Sequence, residues 1–516
     1  MNTREAPGVP PLLLAVLTAV LLFLAAPGAF SIGLLAWVAL VPLLWACRQT
    51  TPRQGARLGL LTGLLFYSLL LYWIVIVLST YGHLPWWLSA PALVLLALYM
   101  SLYLALFAAG ISWLRQRRIS VLWSAPLLWV ALDFIRAHLF SGFPWQDLAY
   151  SQYKLPLLFQ TADLFGHHGV TFLIVLTNGL VTALLSLIRE QSRSERRLAL
   201  LAAGLLLLGS LVYSGLRYQQ LGRDLAQAPV RPVTVVQGNI PQDQKWTAAF
   251  RTRTVESYLQ LSWQALAQQP TDLLIWPETA LPFYPLESRL FPEVRQHLLE
   301  PARVGLLTGA PHREPVGDLL HYYNSAILIS DQGVIEGRYD KQHLVPFGEY
   351  IPLRRFLPFS GPLVETIGDF TPGSSLGPLS CKDLRIGVLI CFESIFPELA
   401  RRQTAQGANL LVNLTNDAWF GKSSAPRQHL SMAVFRAVEN RRSLARAANT
   451  GISGFVSPRG QLIERTELFQ PAFLTEQVPL LTTTPFYVRY GHFFALTCLL
   501  LLAPLALAAL RRPLHS

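Results

Sequence analysis

The sequence predicts a polytopic helical membrane portion joined to a polar α/β layered domain. Three observations predict it. Hydrophobic residues make up 52% of the 516 positions and charged residues only 14%, too apolar for an ordinary soluble enzyme. Long apolar runs fill the first two fifths of the chain and return at its end. Between them lies a polar stretch in which short Val/Ile/Leu runs alternate with helical patterns.

The apolar runs come first. A helix rises 1.5 Å per residue, so crossing a hydrocarbon core of about 30 Å takes about 20 residues. Runs near 10 to 27, 29 to 47, 58 to 79, 88 to 113, 120 to 139, 165 to 187, 198 to 216 and 491 to 510 predict about eight spans. Seven precede the polar domain and one follows it, giving boundaries at 1–217, 218–488 and 489–516. Basic residues follow alternate spans: Arg48, Arg53 and Arg57; Arg115, Arg117 and Arg118; Arg189, Arg193, Arg196 and Arg197; and Arg511 and Arg512. The other short loops hold Arg136 and Lys154 and little else. The positive-inside rule then sets both termini in the cytoplasm and the polar domain outside. The first run also reads as a signal peptide, with Arg4 before it and Ala25, Ala26, Gly28 and Ala29 after it. Either reading leaves the downstream orientation unchanged.

Charge excludes one class of function. The chain carries +12, but residues 218–488 hold 25 basic and 24 acidic side chains, leaving 17 basic against 6 acidic elsewhere. The excess therefore sits in short membrane loops. A nucleic-acid surface needs cations clustered on one folded face, so no nucleic-acid partner is expected.

In the polar domain, strands are expected at 233 to 236, 272 to 276, 304 to 310, 324 to 330, 385 to 391 and 409 to 415. Helical patterns occupy 246 to 268, 287 to 300, 397 to 406 and 426 to 447. Nearly all-apolar strands are buried on both faces, so helices must cover the sheet.

Three side chains at the edges of these strands carry chemistry. Cys391 closes the run IGVLIC just ahead of a helix opened by Pro397 and stopped at Gly407. A thiol there sits near exposed N–H groups that stabilise a thiolate or an oxyanion. A buried structural cysteine is the plain alternative. A disulfide with Cys381 is opposed by geometry, because a turn at Lys382 and Asp383 puts the two sulfurs at opposite ends of one strand. Cys47 and Cys498 fall in or beside spans and read as packing residues. Glu278 follows Ile275, Trp276 and Pro277 at a strand's carboxyl end, where open α/β sheets place ligands. A surface carboxylate is the plain alternative, but these apolar neighbours argue for the desolvated setting of a general base. Lys341 is one of five lysines in a chain that otherwise uses arginine, and it lies in the loop YDKQHLVPFGEY, where Glu349 is placed to orient it.

WPET, YDKQHLVPFGEY and CFESIFPELAR together resemble the Glu-Lys-Cys triad of the carbon–nitrogen hydrolase, or nitrilase, superfamily. GANLLVNLTNDAWFG at 407 to 421 and RAVENRRSLARAANTGISG at 436 to 454 extend the likeness. Joined to the seven-plus-one spans and to DFIRAHLFSGFPWQDLAYSQ at 133 to 152, the whole chain resembles the apolipoprotein N-acyltransferase family. The resemblance implies an αββα sandwich with Glu278 as proton acceptor, Lys341 as oxyanion stabiliser and Cys391 as nucleophile. It implies transfer of a fatty acyl chain from a phospholipid, through a cysteine thioester, to the N-terminal amine of a diacylglyceryl-cysteine apolipoprotein. It further implies a bacterial inner membrane, with the catalytic domain on the periplasmic side. A membrane-anchored amidase using the same triad and a non-enzymatic lipoprotein-binding scaffold are the alternatives.

Around the triad, Glu349, Phe392 and Glu393 are expected as supports, and Asn416, Trp419 and His343 as pocket-lining residues. Phe392 stands where many family members have Tyr, which leaves the backbone N–H but no hydroxyl. Phe283, Tyr284, Phe356, Leu357, Phe359, Trp419 and Phe420 lie in loops and fit either a lipid-facing mouth or core packing. Asp133 and Arg136 are costly in lipid unless paired, and their i, i+3 spacing allows it. No histidine cluster shows metal-ligand spacing and no Gly-rich phosphate loop occurs, so no metal or cofactor is expected.

Overall fold

The computed structural model describes residues 9–187, 194–242, 248–352, 370–375 and 377–512. Arg4, Arg189 and Arg193, and the expected mouth residues Phe356, Leu357 and Phe359, lie outside them. The chain divides into two compact units. One comprises residues 1–75, 86–216 and 492–516, the other 76–85 and 217–491.

The first unit is helical. Among the described residues, four helices are each long and apolar enough to cross a membrane: Trp86–Gln116, Ala162–Ser186, Arg197–Gln227 and Phe493–Leu510. Pro52–Leu70 and Trp73–Tyr81 make a fifth if the pair, bent by 49°, is one span. The eight apolar runs thus give four or five helices of spanning length among the described residues. The first apolar run is a 15-residue helix, Pro11–Ala25, closed by the Pro27-Gly28 turn. The second breaks into a Gly33–Trp37 3₁₀ turn and a short Val41–Ala46 helix. Val121–His138 carries Asp133, Arg136 and His138 in its last turns. Apolar composition reports burial without saying whether it comes from one straight helix or several short ones.

Close packing explains the longest contact in this unit. Gly55, Gly59 and Gly63 form a stripe at every fourth position of the Pro52–Leu70 helix, and a Cβ on them would collide with Ala108 O and Ser112 Oγ, with Leu104 O, and with Ser101. Small residues let helix backbones approach where no hydrophobic effect separates lipid from protein. The C-terminal helix returns to this unit. Ala495 and Cys498 pack with Leu122, Val130, Phe172, Leu176 and Ala203 in one apolar cluster.

The second unit is built on two six-stranded sheets. The first has the order β12-β1-β2-β3-β4-β5 and the second β11-β10-β9-β8-β7-β6. The strands are β1 (Val230–Gln237), β2 (Leu273–Ile275), β3 (Gly305–Val316), β4 (Leu319–Ile329), β5 (Ile335–Asp340), β6 (Leu379–Cys381), β7 (Leu384–Ile390), β8 (Leu410–Thr415), β9 (Ser443–Ala448), β10 (Gly454–Val456), β11 (Leu462–Arg465) and β12 (Ala472–Pro479). Each sheet has a parallel centre, β1-β2-β3 and β7-β8-β9, with antiparallel strands outside.

Period-two alternation sorts the apolar side chains into layers. Val233, Val235, Leu273, Ile275 and Leu307 of the first sheet meet Ile386, Val388, Ile390, Val412 and Leu414 of the second in one core. The intervening residues Val236, Leu274, Trp276 and Leu306 face the other way, against Val255 and Tyr258 of the Ala248–Gln268 helix and Val294, Leu298 and Leu299. Helices Pro397–Ala405 and Ala425–Asn440 pack against β7 and β9 of the second sheet. The result is the expected αββα sandwich, and buried β1 to β3 and β7 to β9 explain the strands that read as continuous apolar runs.

One element differs from its sequence pattern. Residues 426 to 447 read as a single helix, but the helix ends at Asn440, Arg441 takes a left-handed conformation (φ 49°), and Ser443–Ala448 forms β9. Pairing of β9 parallel to β8 throughout its length overrides the local helix preference of SLARAA. Gly59→Leu is expected to lower stability in detergent by about 1–3 kcal/mol through overpacking, read as a lower thermal unfolding midpoint. Gly204→Leu, where nothing lies within 4 Å, is expected to change it by under about 0.5 kcal/mol.

Candidate active site

Three strand ends deliver the predicted groups to one place. Glu278 follows β2, Lys341 follows β5, and Cys391 follows β7. All three are buried: Glu278 is 6% exposed, Lys341 1% and Cys391 8%. Glu278 and Lys341 are the two charged groups acting most strongly on the Cys391 thiol.

The backbone at the thiol is unusual. β7 ends at Ile390, so Cys391 is not the last strand residue but the first of a 3₁₀ turn, with φ 51°. A non-glycine residue in the left-handed region costs about 1–3 kcal/mol and persists only when its surroundings impose it. Glu393 supplies part of that restraint. Its Oε2 accepts from Ile390 N (2.7 Å), and its Oε1 accepts from Gln342 N (2.7 Å), His343 N (3.2 Å) and the Tyr339 hydroxyl (3.0 Å). One fully buried carboxylate thereby ties the Cys391 turn to the loop bearing Lys341. Burial pushes its pKa up to about 7 against the lowering effect of those donors.

His429 braces the turn from the other side. Its Nε2 lies 3.0 Å from the Cys391 carbonyl oxygen and 2.8 Å from Ser394 Oγ, and its Nδ1 lies 3.0 Å from Asp417 Oδ1. Arg446 Nη2 donates to Asp417 Oδ2 at 2.8 Å, and Thr415 Oγ1 donates to Asp417 Oδ1 at 3.0 Å. Burial opposes the Asp417 charge, yet Arg446 and His429 hold its pKa below the usual carboxylate range. Burial and Arg446 together push His429 down, towards a neutral ring.

The Lys341 ammonium is held by Glu349, at 2.9 Å from Nζ to either carboxylate oxygen, and stands 3.9 Å from Glu278 Oε1. Burial disfavours the ammonium, but Glu349, Glu278 and Cys391 outweigh it and hold its pKa above that of an ordinary lysine. It is therefore a fixed cation at neutral pH. The thiol shifts the opposite way to a reactive cysteine: burial, then the Glu278 charge, push its pKa up, and Lys341 offsets this only in part. The resting group is a neutral thiol that needs a base.

Asn324 on β4 is the residue that sequence reading missed. Its Nδ2 donates to Glu278 Oε1 (2.8 Å) and to Glu349 Oε1 (3.0 Å), and its carbonyl accepts from Lys341 N (2.8 Å). An amide inside an apolar strand is a signal of such a role, since burying it without partners is costly. Gly309 is a second missed position. A Cβ there would collide with Thr279 N and Glu278 Cα, so only glycine lets β3 pass beneath the Glu278 turn.

The remaining expected residues are placed as follows. Phe392 and Phe396 rings lie 5.2 Å apart, and His343 stacks on Phe396 at 3.7 Å. Asn416 is buried in a side-chain chain, donating to Gln242 Oε1 (2.5 Å) and accepting from Asn449 Nδ2 (3.1 Å). Trp419 is half-buried and meets Tyr81 edge-on at 5.3 Å. Phe283 belongs to the apolar core, whereas Tyr284 and Phe420 are half-buried. All four cysteines are free thiols.

Two outcomes follow from this geometry. Asn324→Ala removes the donor shared by two carboxylates, and is expected to lower kcat about 10- to 100-fold, as for a charge-assisted bond of about 1.5–3 kcal/mol, with KM little changed. Glu278→Gln removes the charge that raises the thiol pKa. Alkylation of Cys391 by a small neutral reagent is then expected to become faster near neutral pH and to titrate at lower pH, while turnover falls.

Comparison with known proteins matches both parts of the chain. The family described as Apolipoprotein N-acyltransferase N-terminal domain matches residues 18–180, and Carbon-nitrogen hydrolase matches residues 232–486. The apolipoprotein N-acyltransferase of Geobacter metallireducens is 46% identical over 97% of this chain and 95% of its own length. That of Methylococcus capsulatus is 36% identical over 90% of each. Among solved structures, a carbon–nitrogen hydrolase from Helicobacter pylori aligns with 48% of this chain and 89% of its own, at 19% identity and a TM-score of 0.37. Because the likeness to named acyltransferases runs through the helical part and the thiol-bearing sandwich alike, the chain belongs to the apolipoprotein N-acyltransferase family.

Proposed function

We propose that the chain acylates lipoproteins by a two-step exchange through Cys391, and that a buried thiol flanked by Glu278 and Lys341 is the observation that carries this reading. Glu278 takes the thiol proton as the sulfur attacks an ester carbonyl of a membrane phospholipid. Lys341 and the Phe392 N–H stabilise the tetrahedral oxyanion. Collapse breaks the ester C–O bond, and Glu278 returns the proton to the departing lysophospholipid oxygen. The thioester remains on Cys391. The N-terminal amine of a diacylated apolipoprotein then attacks it, Glu278 takes the amine proton, and the collapsing intermediate releases an amide and regenerates the thiol.

A neutral resting thiol suits this sequence, because a free thiolate standing open would be acylated or oxidised without regard to substrate. Glu349 and Asn324 act here as positioning residues that hold Lys341 and Glu278. The helical unit has a physical purpose in the same reading. Lipid chains gain about 0.8 kcal/mol per buried methylene, so both substrates react where their chains stay immersed. We place the enzyme in a bacterial inner membrane, with about eight membrane-inserted segments, cytoplasmic termini and the sandwich on the periplasmic side; the alternation of arginine-bearing loops supports this.

Intact mass spectrometry after incubation with phospholipid tests the proposal. An acyl adduct is expected on the wild-type chain, discharged by a diacylated lipopeptide and absent from Cys391→Ala. Lys341→Ala is expected to form it about 10² to 10³-fold more slowly, the cost of losing an oxyanion donor. Fatty acid release at the same rate with and without the lipopeptide would instead identify a hydrolase.

A further inference from the structure

The helical unit holds a second cluster of ionisable side chains that the acyl-transfer reading leaves unused. Asp147 lies in the segment after the Val121–His138 helix, and His167 and His168 lie in the Ala162–Leu187 helix. All three are buried, at 5%, 3% and 2% exposure. A carboxylate oxygen of Asp147 and one ring nitrogen from each histidine fall within 4.8 Å of one another.

We propose that Asp147, His167 and His168 form a site for a divalent transition ion, of which zinc is the best fit. Asp147 Oδ2 and His167 Nε2 are 3.4 Å apart. That is long for a hydrogen bond, but it equals the edge of about 3.4 Å between ligands on a tetrahedral ion with bonds of about 2.0–2.1 Å. His168 Nε2 is buried with no hydrogen-bond partner, a costly state for a nitrogen that can bind a proton or a metal. Asp147 is oriented from behind. Thr171 Oγ1 donates to Asp147 Oδ1 at 2.5 Å and itself accepts from Ala149 N at 3.3 Å, the kind of outer hydrogen bond that fixes a metal ligand.

Charge argues in the same direction. The nearby Asp133 is matched by Arg136, whose Nη2 donates to Asp133 Oδ1 at 3.0 Å and whose Nη1 donates to the Trp145 carbonyl at 3.2 Å. Beside that pair, Asp147 presents a buried carboxyl group to two imidazoles. Two nitrogens and one oxygen select zinc over magnesium or calcium, which prefer all-oxygen sites. Three protein ligands leave a fourth position for water.

The backbone is shaped for the cluster. Gly166 is non-helical (φ 66°, ψ −172°) and breaks the helix just before His167, so the two histidines begin a fresh helical segment. The Tyr150 ring stacks on His167 at 5.2 Å. An ion here would fasten the segment containing Gln146 to Gln152 onto that helix, adding to Gln152, which donates to Gly33 O at 2.7 Å and accepts from Trp37 Nε1 at 3.1 Å. Histidine spacing alone does not disclose the cluster, because an adjacent pair becomes a chelate only when Asp147 folds onto it.

The experiment uses the full chain without a histidine tag, purified in detergent, dialysed and assayed for zinc by plasma mass spectrometry. About one ion per chain is expected for wild type, and a large loss for His168→Ala and Asp147→Asn. His138→Ala, which alters a neighbouring but unrecruited ring, is expected to retain it. Cobalt substitution of the wild-type chain is expected to give the visible absorption of a tetrahedral N/O site, a readout that needs no variant to fold. Zinc at background in folded wild type, or an unchanged content in both ligand variants, would overturn the proposal and leave Asp147 beside His167 with no ion between them.

Discussion

The candidate active site depends on keeping one ammonium buried. Lys341 is almost wholly shielded from water, and desolvation alone would drive off its proton. Glu349 and Glu278 prevent this, and Asn324 holds the two carboxylates in place by donating to both. A buried charge with ideal partners is stable, and the same charge with one partner removed is not. The lysine, two glutamates and asparagine are therefore one unit, and the thiol is the neutral member at its edge.

The sandwich makes that unit rigid. Glu278, Lys341 and Cys391 each sit one to three residues beyond a strand, where the ladder fixes the chain up to the last residue and frees it immediately after. Two further networks constrain the free part. Glu393 joins the Cys391 turn to the Lys341 loop through four donors, and Asp417, His429 and Arg446 support the Cys391 carbonyl from the turn after β8, the Ala425–Asn440 helix and β9. Such over-determination is what allows a non-glycine left-handed residue at Cys391.

The helical unit follows different physics. The pairing of its Pro52–Leu70 and Trp86–Gln116 helices rests on the absence of side chains at Gly55, Gly59 and Gly63, and polar groups gather in internal clusters around Arg136 and Asp147. Both features are what a lipid environment demands, since apolar side chains gain nothing by meeting one another there and polar ones must find partners.

An α/β layered domain between apolar runs was legible in the sequence, because all-apolar strands report burial on both faces; the αββα order came from the family resemblance, and Lys341 and Cys391 stood out as candidates because lysine and cysteine are rare in this chain. Strand β9 was not: SLARAA has no local strand preference, and only pairing with β8 decides it. Nor were the partners. Asn324, Gly309 and His429 are ordinary residues in their own segments and acquire roles only through contacts with chain up to 46 positions away. Hydropathy likewise counted apolar runs but not helix breaks, which depend on packing. Composition and periodicity are properties of neighbours along the chain; site geometry and buried-charge balance are properties of neighbours in space, and folding alone creates those.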